Sequence, residues 1–429
     1  MNQTILDSMD IDAAMSQRLR ATLVVADAWF GSRQERFLRY PGGFCEKDGM
    51  TGMREHPCEE RLSPDALFAE LERQGILEQL YEVLIDSDAD VSFLFDGPVP
   101  TSFMERLKAH LQRIGQTQTR FEQRSGKLSA ACAEAGIPLL VLKGEALNAL
   151  YSPQIARVTE DLDVFLEKPF RKRFRKLMAE KGYKLDWKGY LSSYHSAHVM
   201  RDAAGKPQHS VELHFTLKQS WLFPSSAVRA WEQRMRAHAR PLGNGMFQPS
   251  YEDQFLFLLA HHAKHQIRKA AGLRSLLEIA AWLRAYGDGM DWDVVLAWMP
   301  RLFPPAYPAL LMRLFAWRGW WNPQDERVLD WLDAYPVGQA TLEAALWDML
   351  SAPYQYYRLD GTYGWDSFGW RYPWFLKHWR LSAALVPVEA VVRMCLYRVA
   401  PWDALRWTAM SRRSAGKRRM RLVEFGLLQ

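Results

Sequence analysis

The chain has 429 residues, room for roughly two or three domains at about 100–200 residues each, with 48% hydrophobic and 13% aromatic residues. It holds no low-complexity tract and no repeat of fixed period, which excludes a disordered, fibrous or solenoid protein and predicts compact cores that need no staples. The net charge of +6 is unevenly placed: residues 371–429 carry twelve Lys/Arg against three Asp/Glu, so the rest of the chain is close to neutral and slightly acidic.

Cys45, Cys58, Cys132 and Cys395 show no C-x-x-C spacing, which argues against a zinc site or a disulfide framework and predicts a reducing compartment, the cytoplasm. The first twenty residues lack a basic stretch followed by an apolar run, so a secretory signal is not expected. The best candidate for a membrane span, residues 381–400, is broken by Pro387, Glu389, Arg393 and Arg398, short of the roughly 18 uninterrupted apolar residues that a span requires.

In chain order, residues 1–135 read as a helical N-terminal region. "SPDALFAELERQGILEQLYEVL" and "SFMERLKAHLQRIGQTQTRFEQRSGKLSAACAEAG" place apolar residues at spacings of three and four, and the glycine-rich 39–60 stretch reads as a lid or a linker. Residues 136–250 read as a small α/β core. "IPLLVL" is a buried strand, followed by Lys143-Gly144 and a helix over residues 145–151; "DLDVFL" is a second strand, and "KPFRKRFRKLMAEKG" is a basic helix opened by proline and closed by Gly182. "YKLDW", "SYHSAHVMRD" and "QHSVELHFTL" follow, the last two as a hairpin across an Ala-Ala-Gly-Lys turn. Residues 251–429 are again helical and end in a basic, tryptophan-rich tail. That tail is either a solvated end or a contact for an acidic partner or an anionic membrane surface. The fold class is α+β: a small mixed sheet between largely helical flanks.

Within the core, strand alternation sets Asp161 and Asp163 on one face, with Leu162 and Val164 on the other. "VELHF" repeats the device, Val211, Leu213 and Phe215 opposing Glu212 and His214. If the two strands are neighbours, Glu212 completes a carboxylate triad that repels itself unless it faces water or a cation. Lys143-Gly144, between a strand end and a helix start, suits an anion, and Arg157 adds a second cation. His261 and His265, four apart, share a helical face and are either a metal or phosphate site or structural histidines at a junction.

The order "LKGEALNALY", "RVTEDLDVFL", "VELHF" and then "HHAKHQIRKAAGLRSLLEIAAWL" resembles the polymerase beta-like nucleotidyltransferases, and most closely the bacterial family of uncharacterised nucleotidyltransferases, over roughly residues 137–283. Most nucleotidyltransferases have Gly-Ser where this chain has Lys143-Gly144, and Glu278 stands where that family usually has Asp. The resemblance implies that Asp161, Asp163 and Glu212 bind two magnesium ions, with Glu212 also a candidate base. Lys143, Gly144 and Arg157 would bind the nucleotide, and His214, His261, His265 and Glu278 are accessory candidates. It implies transfer of a nucleoside monophosphate from an NTP such as ATP to a small-molecule, peptide or protein acceptor, with pyrophosphate released. A catalytically silent nucleotidyltransferase fold serving binding or assembly, and a D-x-D glycosyltransferase, are the competing readings.

Overall fold

The computed structural model describes residues 13–32, 62–85, 94–95, 98–143, 145–151, 157, 159, 161–186, 195–217, 225–243, 245–268 and 272–357. The glycine-rich 39–60 stretch, Gly144, the basic tail and three of the four cysteines lie outside the described residues. Cys132 is a free, buried thiol. Among the described residues no helix is long and apolar enough to cross a membrane.

Helix α1 spans Ala13–Ser32, α2 Pro64–Gln74 and α3 Leu77–Ile85. Ser63 caps α2 by accepting from the Ala66 amide, with Pro64 in the first turn. The helical stretch read over residues 63–84 forms two helices. Gly75 adopts φ 69°, and its amide and that of Ile76 close the end of α2 on the carbonyls of Glu72 and Leu71. Helix α4, Thr101–Glu134, is long enough to serve two cores. Its Phe103 and Leu107 pack with the helical regions, and its Phe121, Leu128 and Cys132 pack under the sheet.

Among the described residues the strands are β1 Leu139–Val141, β2 Leu162–Phe165, β3 Lys184–Asp186, β4 His195–Arg201, β5 Pro207–His214, β6 Arg240–Gly243 and β7 Met246–Gln248. Their order is β3-β4-β5-β2-β1-β7-β6, with β2–β5 and β1–β7 parallel and the other pairs antiparallel. The hairpin between β4 and β5 turns on Asp202, whose Oδ1 accepts from the Ala204 and Lys206 amides, with Gly205 at φ 78°. Among the described residues three helices fall between strands: α5, Glu145–Asn148, α6, Lys168–Glu180, and α7, Ser225–Ala237, which lies between β5 and β6.

The period of two along the central strands builds two faces. Leu139, Val141, Leu162, Val164, Val211 and Leu213 point into one core, closed by α4 and by Phe174 and Met178 of α6. Leu140, Leu142 and Phe165 point the other way, into a second and larger core. That core includes α8 (Tyr251–Arg268), α9 (Leu273–Tyr286), α10 (Trp292–Leu302), α11 (Ala306–Trp317), α12 (Glu326–Ala334) and α13 (Gln339–Tyr357), and also α1 to α3. The N-terminal helices are tied into it by distant partners: Arg318 and Trp320 both bond Asp27, Arg284 donates to the Phe30 carbonyl, and Gln74 donates to the Leu350 carbonyl. Trp29, Trp231, Trp282, Trp320 and Trp347 are fully buried, which accounts for part of the unusual tryptophan content.

Candidate functional site

Strands β2 and β5 lie side by side in parallel, with Asp163 opposite Glu212 and Phe165 opposite His214. Leu162, Val164, Val211 and Leu213 fill the core below, so alternation delivers Asp163, Glu212 and His214 to the face that meets the helices. His214 Nε2 donates to Asp163 Oδ1 at 2.7 Å and lies 3.8 Å from Glu212 Oε2. One ligand atom from each of the three falls within 4.8 Å of the others. Asp161 sits half-buried just before β2, close enough for its charge to act on Glu212.

This crowding divides the protons unequally. Burial opposes ionisation of Asp163, but the hydrogen bond from His214 and the nearby Lys143 and Lys264 outweigh it and hold the carboxyl near 2. Glu212 is pushed up to about 8, first by burial and then by the negative charges of Asp163 and Asp161. The pair is therefore driven apart, with a retained proton favoured on Glu212 over Asp163. A divalent cation held by these carboxylates would take the place of that proton, so the donor set of two carboxylates, an imidazole and nearby Asp161 fits such an ion.

A second cluster adjoins the first. Glu278 of α9 is buried and gathers three cations and a phenol. Arg157 reaches its Oε1 through Nε at 3.0 Å and Nη2 at 2.9 Å, Arg274 Nε lies at 3.2 Å, Tyr151 OH at 3.4 Å, and Lys143 Nζ is 3.9 Å from Oε2. Burial raises the Glu278 carboxyl, yet Arg157, Lys143 and Arg274 reverse that and bring it to about 2. Arg157 also donates to Thr159 Oγ1, whose own amide donates to Gln118 of α4. Lys143, at the end of β1, links the two clusters: 22% exposed, it bonds Glu278 while its charge acts on Asp163 and Glu212.

Helix α8 closes the site from above. Ser250 and Asp253 cap its start, and Gln254 Nε2 donates to the carbonyl of Leu142, one residue before Lys143. The stripe continues to His261 and His265, whose Nε2 atoms are bonded at 2.9 Å. His261 is held neutral by burial and by the neighbouring Lys264 and Lys143. Lys264, three residues after His261, is buried and lies in the field of Glu212 and Asp163.

The structure thus brings together Lys143, Asp161, Asp163, Glu212 and His214, with His261 facing them and Glu278 behind Lys143. It places Arg157 on Glu278, buried, instead of leaving it open toward a ligand. Lys264, Arg274, Tyr151 and Gln254 were not singled out from the sequence. Lys264 was within reach of the same helical spacing that paired His261 with His265.

An α+β protein whose mixed sheet carries carboxylates on adjacent parallel strands, between helical flanks, is a nucleotidyltransferase in architecture. The chain belongs to the family described as uncharacterised nucleotidyltransferase, whose family model matches residues 60–310, more than half of its length. Neither a curated protein nor a solved structure matches it.

Proposed function

We propose that the chain transfers a nucleoside monophosphate from an NTP, with magnesium, to the hydroxyl of a small-molecule, peptide or protein acceptor, releasing pyrophosphate. The observation that carries this reading is the in-register pairing of Asp163 with Glu212 across two parallel strands, beside His214 and Lys143. Asp161, Asp163 and Glu212 would hold the magnesium, one ion or two. When bound, magnesium would neutralise phosphate oxygens and acidify the acceptor hydroxyl.

The residues of the chain do the rest. His214 fixes the orientation of Asp163 through the 2.7 Å bond and keeps it ionised. Lys143, braced by Glu278, draws the anionic triphosphate toward the carboxylates. Glu212, whose carboxylate is made basic by burial and by the charges of Asp163 and Asp161, is also the candidate base that takes the proton of the acceptor hydroxyl. The acceptor oxygen then bonds to the α-phosphorus as the bond to the bridging oxygen breaks, and the electron pair leaves with pyrophosphate. The scattered cysteines support a cytoplasmic setting for this chemistry.

Calorimetric titration with ATP, CTP, GTP and UTP in magnesium, using wild type and Asp161→Ala/Asp163→Ala, tests the donor site. Mass spectrometry of acceptors incubated with labelled NTP should show a gain of one nucleoside monophosphate. If no NTP binds and the variant behaves as wild type, the reading fails; preference for a nucleotide-sugar would favour a glycosyltransferase.

A further inference from the structure

The cations around the carboxylates differ in what already occupies them. Arg157 and Arg274 are bonded to Glu278, and Lys143 is within 3.9 Å of the same carboxylate. Lys264 differs. It is only 7% exposed, yet it forms no hydrogen bond or ion pair with any described residue. Its neighbours on the same helix, His261 and His265, are bonded to each other through their Nε2 atoms. The groups whose charges act on it are Glu212, Asp163 and Asp161, the carboxylates of the candidate site, and Lys143 across from it. A lysine whose side chain is this deeply buried and whose ammonium has no described partner is costly, and an apolar side chain of similar length would fill the same space at lower cost. An incoming anion lying between Lys264 and Lys143 would complete both.

We propose that Lys264 is a donor-binding residue, gripping the β- and γ-phosphate oxygens of the nucleoside triphosphate from the α8 side while Lys143 meets them from the end of β1. This rests on the nucleotidyl-transfer reading above and adds to it the group that holds the leaving pyrophosphate. When the bond from the α-phosphorus to the bridging oxygen breaks, the electron pair stays on pyrophosphate, and the Lys264 ammonium stabilises that charge without giving up a proton. The role assigned from the sequence to Arg157 as the second phosphate cation thereby passes to Lys264.

The test is calorimetry in magnesium with the four NTPs, inorganic pyrophosphate and the matching nucleoside monophosphates, on wild type, Lys264→Met, Lys264→Gln and Lys264→Arg, with folding checked by circular dichroism. Lys264→Met and Lys264→Gln should each weaken NTP and pyrophosphate at least about tenfold and leave monophosphate binding within about twofold, the loss of one charge-assisted contact. Lys264→Arg should stay within about threefold of wild type for all ligands. If wild type binds an NTP and folded Lys264→Met or Lys264→Gln binds it equally well, Lys264 has no such role and the nucleotidyl-transfer reading stands. Equal loss of monophosphate affinity would mark a structural residue and overturn the proposal. Absence of NTP binding to wild type overturns both readings.

Discussion

At the scale of residues, the site is two carboxylate clusters with opposite electrostatic outcomes. Asp163 and Glu212 crowd each other, which favours a proton on Glu212, whereas Glu278 is surrounded by cations and stays ionised. Asp163→Asn and Glu212→Gln should each lower nucleotidyl transfer by at least about 100-fold, corresponding to several kcal/mol of charge organisation, with far-ultraviolet circular dichroism unchanged. A variant that keeps half the wild-type rate would remove that carboxylate from the chemistry. Glu278→Gln acts differently, because it removes the carboxylate that Arg157 and Arg274 both bond and leaves them the charge of Glu78. It should cost about 3–5 kcal/mol in urea unfolding, and Glu278→Asp distinctly less. Much of the first cluster was legible: Asp163 in β2 and E-x-H in β5 share a face because the period of a strand is two, while Asp161 lies just before β2, where that period no longer applies. The second was not. Arg157 and Glu278 are 121 positions apart, and no local pattern announces that an arginine is already engaged by a distant glutamate. Lys264 was legible in principle, since it shares its helical face with His261, but a lysine on a polar-looking helix gives no sign of being buried.

At the scale of elements, β1 to β5, the β4–β5 hairpin and the helical flanks followed from apolar spacing and turn chemistry, whereas α7, β6 and β7 were not read and Gly75 divides a helical stretch in two. Apolar residues continue on both sides of Gly75, but the glycine takes the left-handed conformation and separates α2 from α3. Its place is also close to Arg274, whose Cδ would lie 3.3 Å from an added Cβ. Gly75→Ala should therefore lower stability by about 1 kcal/mol or more, read as a drop in melting temperature, because alanine cannot hold that φ without strain. An unchanged or raised melting temperature would mean that α2 and α3 can fuse. The order of strands in the sheet was not readable at this scale. Strand adjacency depends on which buried faces meet, and β2 joins β5 only because the hairpin of β4 and β5 folds back across α6 to reach it.

At the scale of the whole molecule, several imidazoles are sealed inside. Burial drives His198 and His209 down to about 4 and His262 to about 3. His209 is bonded to Ser125 and Tyr183, and His262 to Tyr307. In the unfolded chain each takes its proton near 6.5, so between that value and about 3–4 the unfolded state binds more protons than the folded one. Their contribution to stability is complete above about pH 6.5 and is lost as the pH falls through the window to about 3–4. Urea midpoints measured from pH 7 to pH 4 should fall accordingly, and His209→Gln should flatten the slope; midpoints independent of pH would contradict the buried neutral state.

The larger core has a consequence for synthesis. Asp27 waits for Arg318 and Trp320, Phe30 for Arg284, and Gln74 for Leu350, all of which leave the ribosome much later. The helix-facing side of the sheet, with its carboxylates, is likewise roofed only when α8 and α9 arrive. A nascent chain released after β7 would present Trp29, Phe30, Leu140 and Phe165 with no late helices to cover them, and slow, long-range closure of this kind leaves time for aggregation. This connectivity predicts that chains truncated before α13 aggregate where the full chain does not.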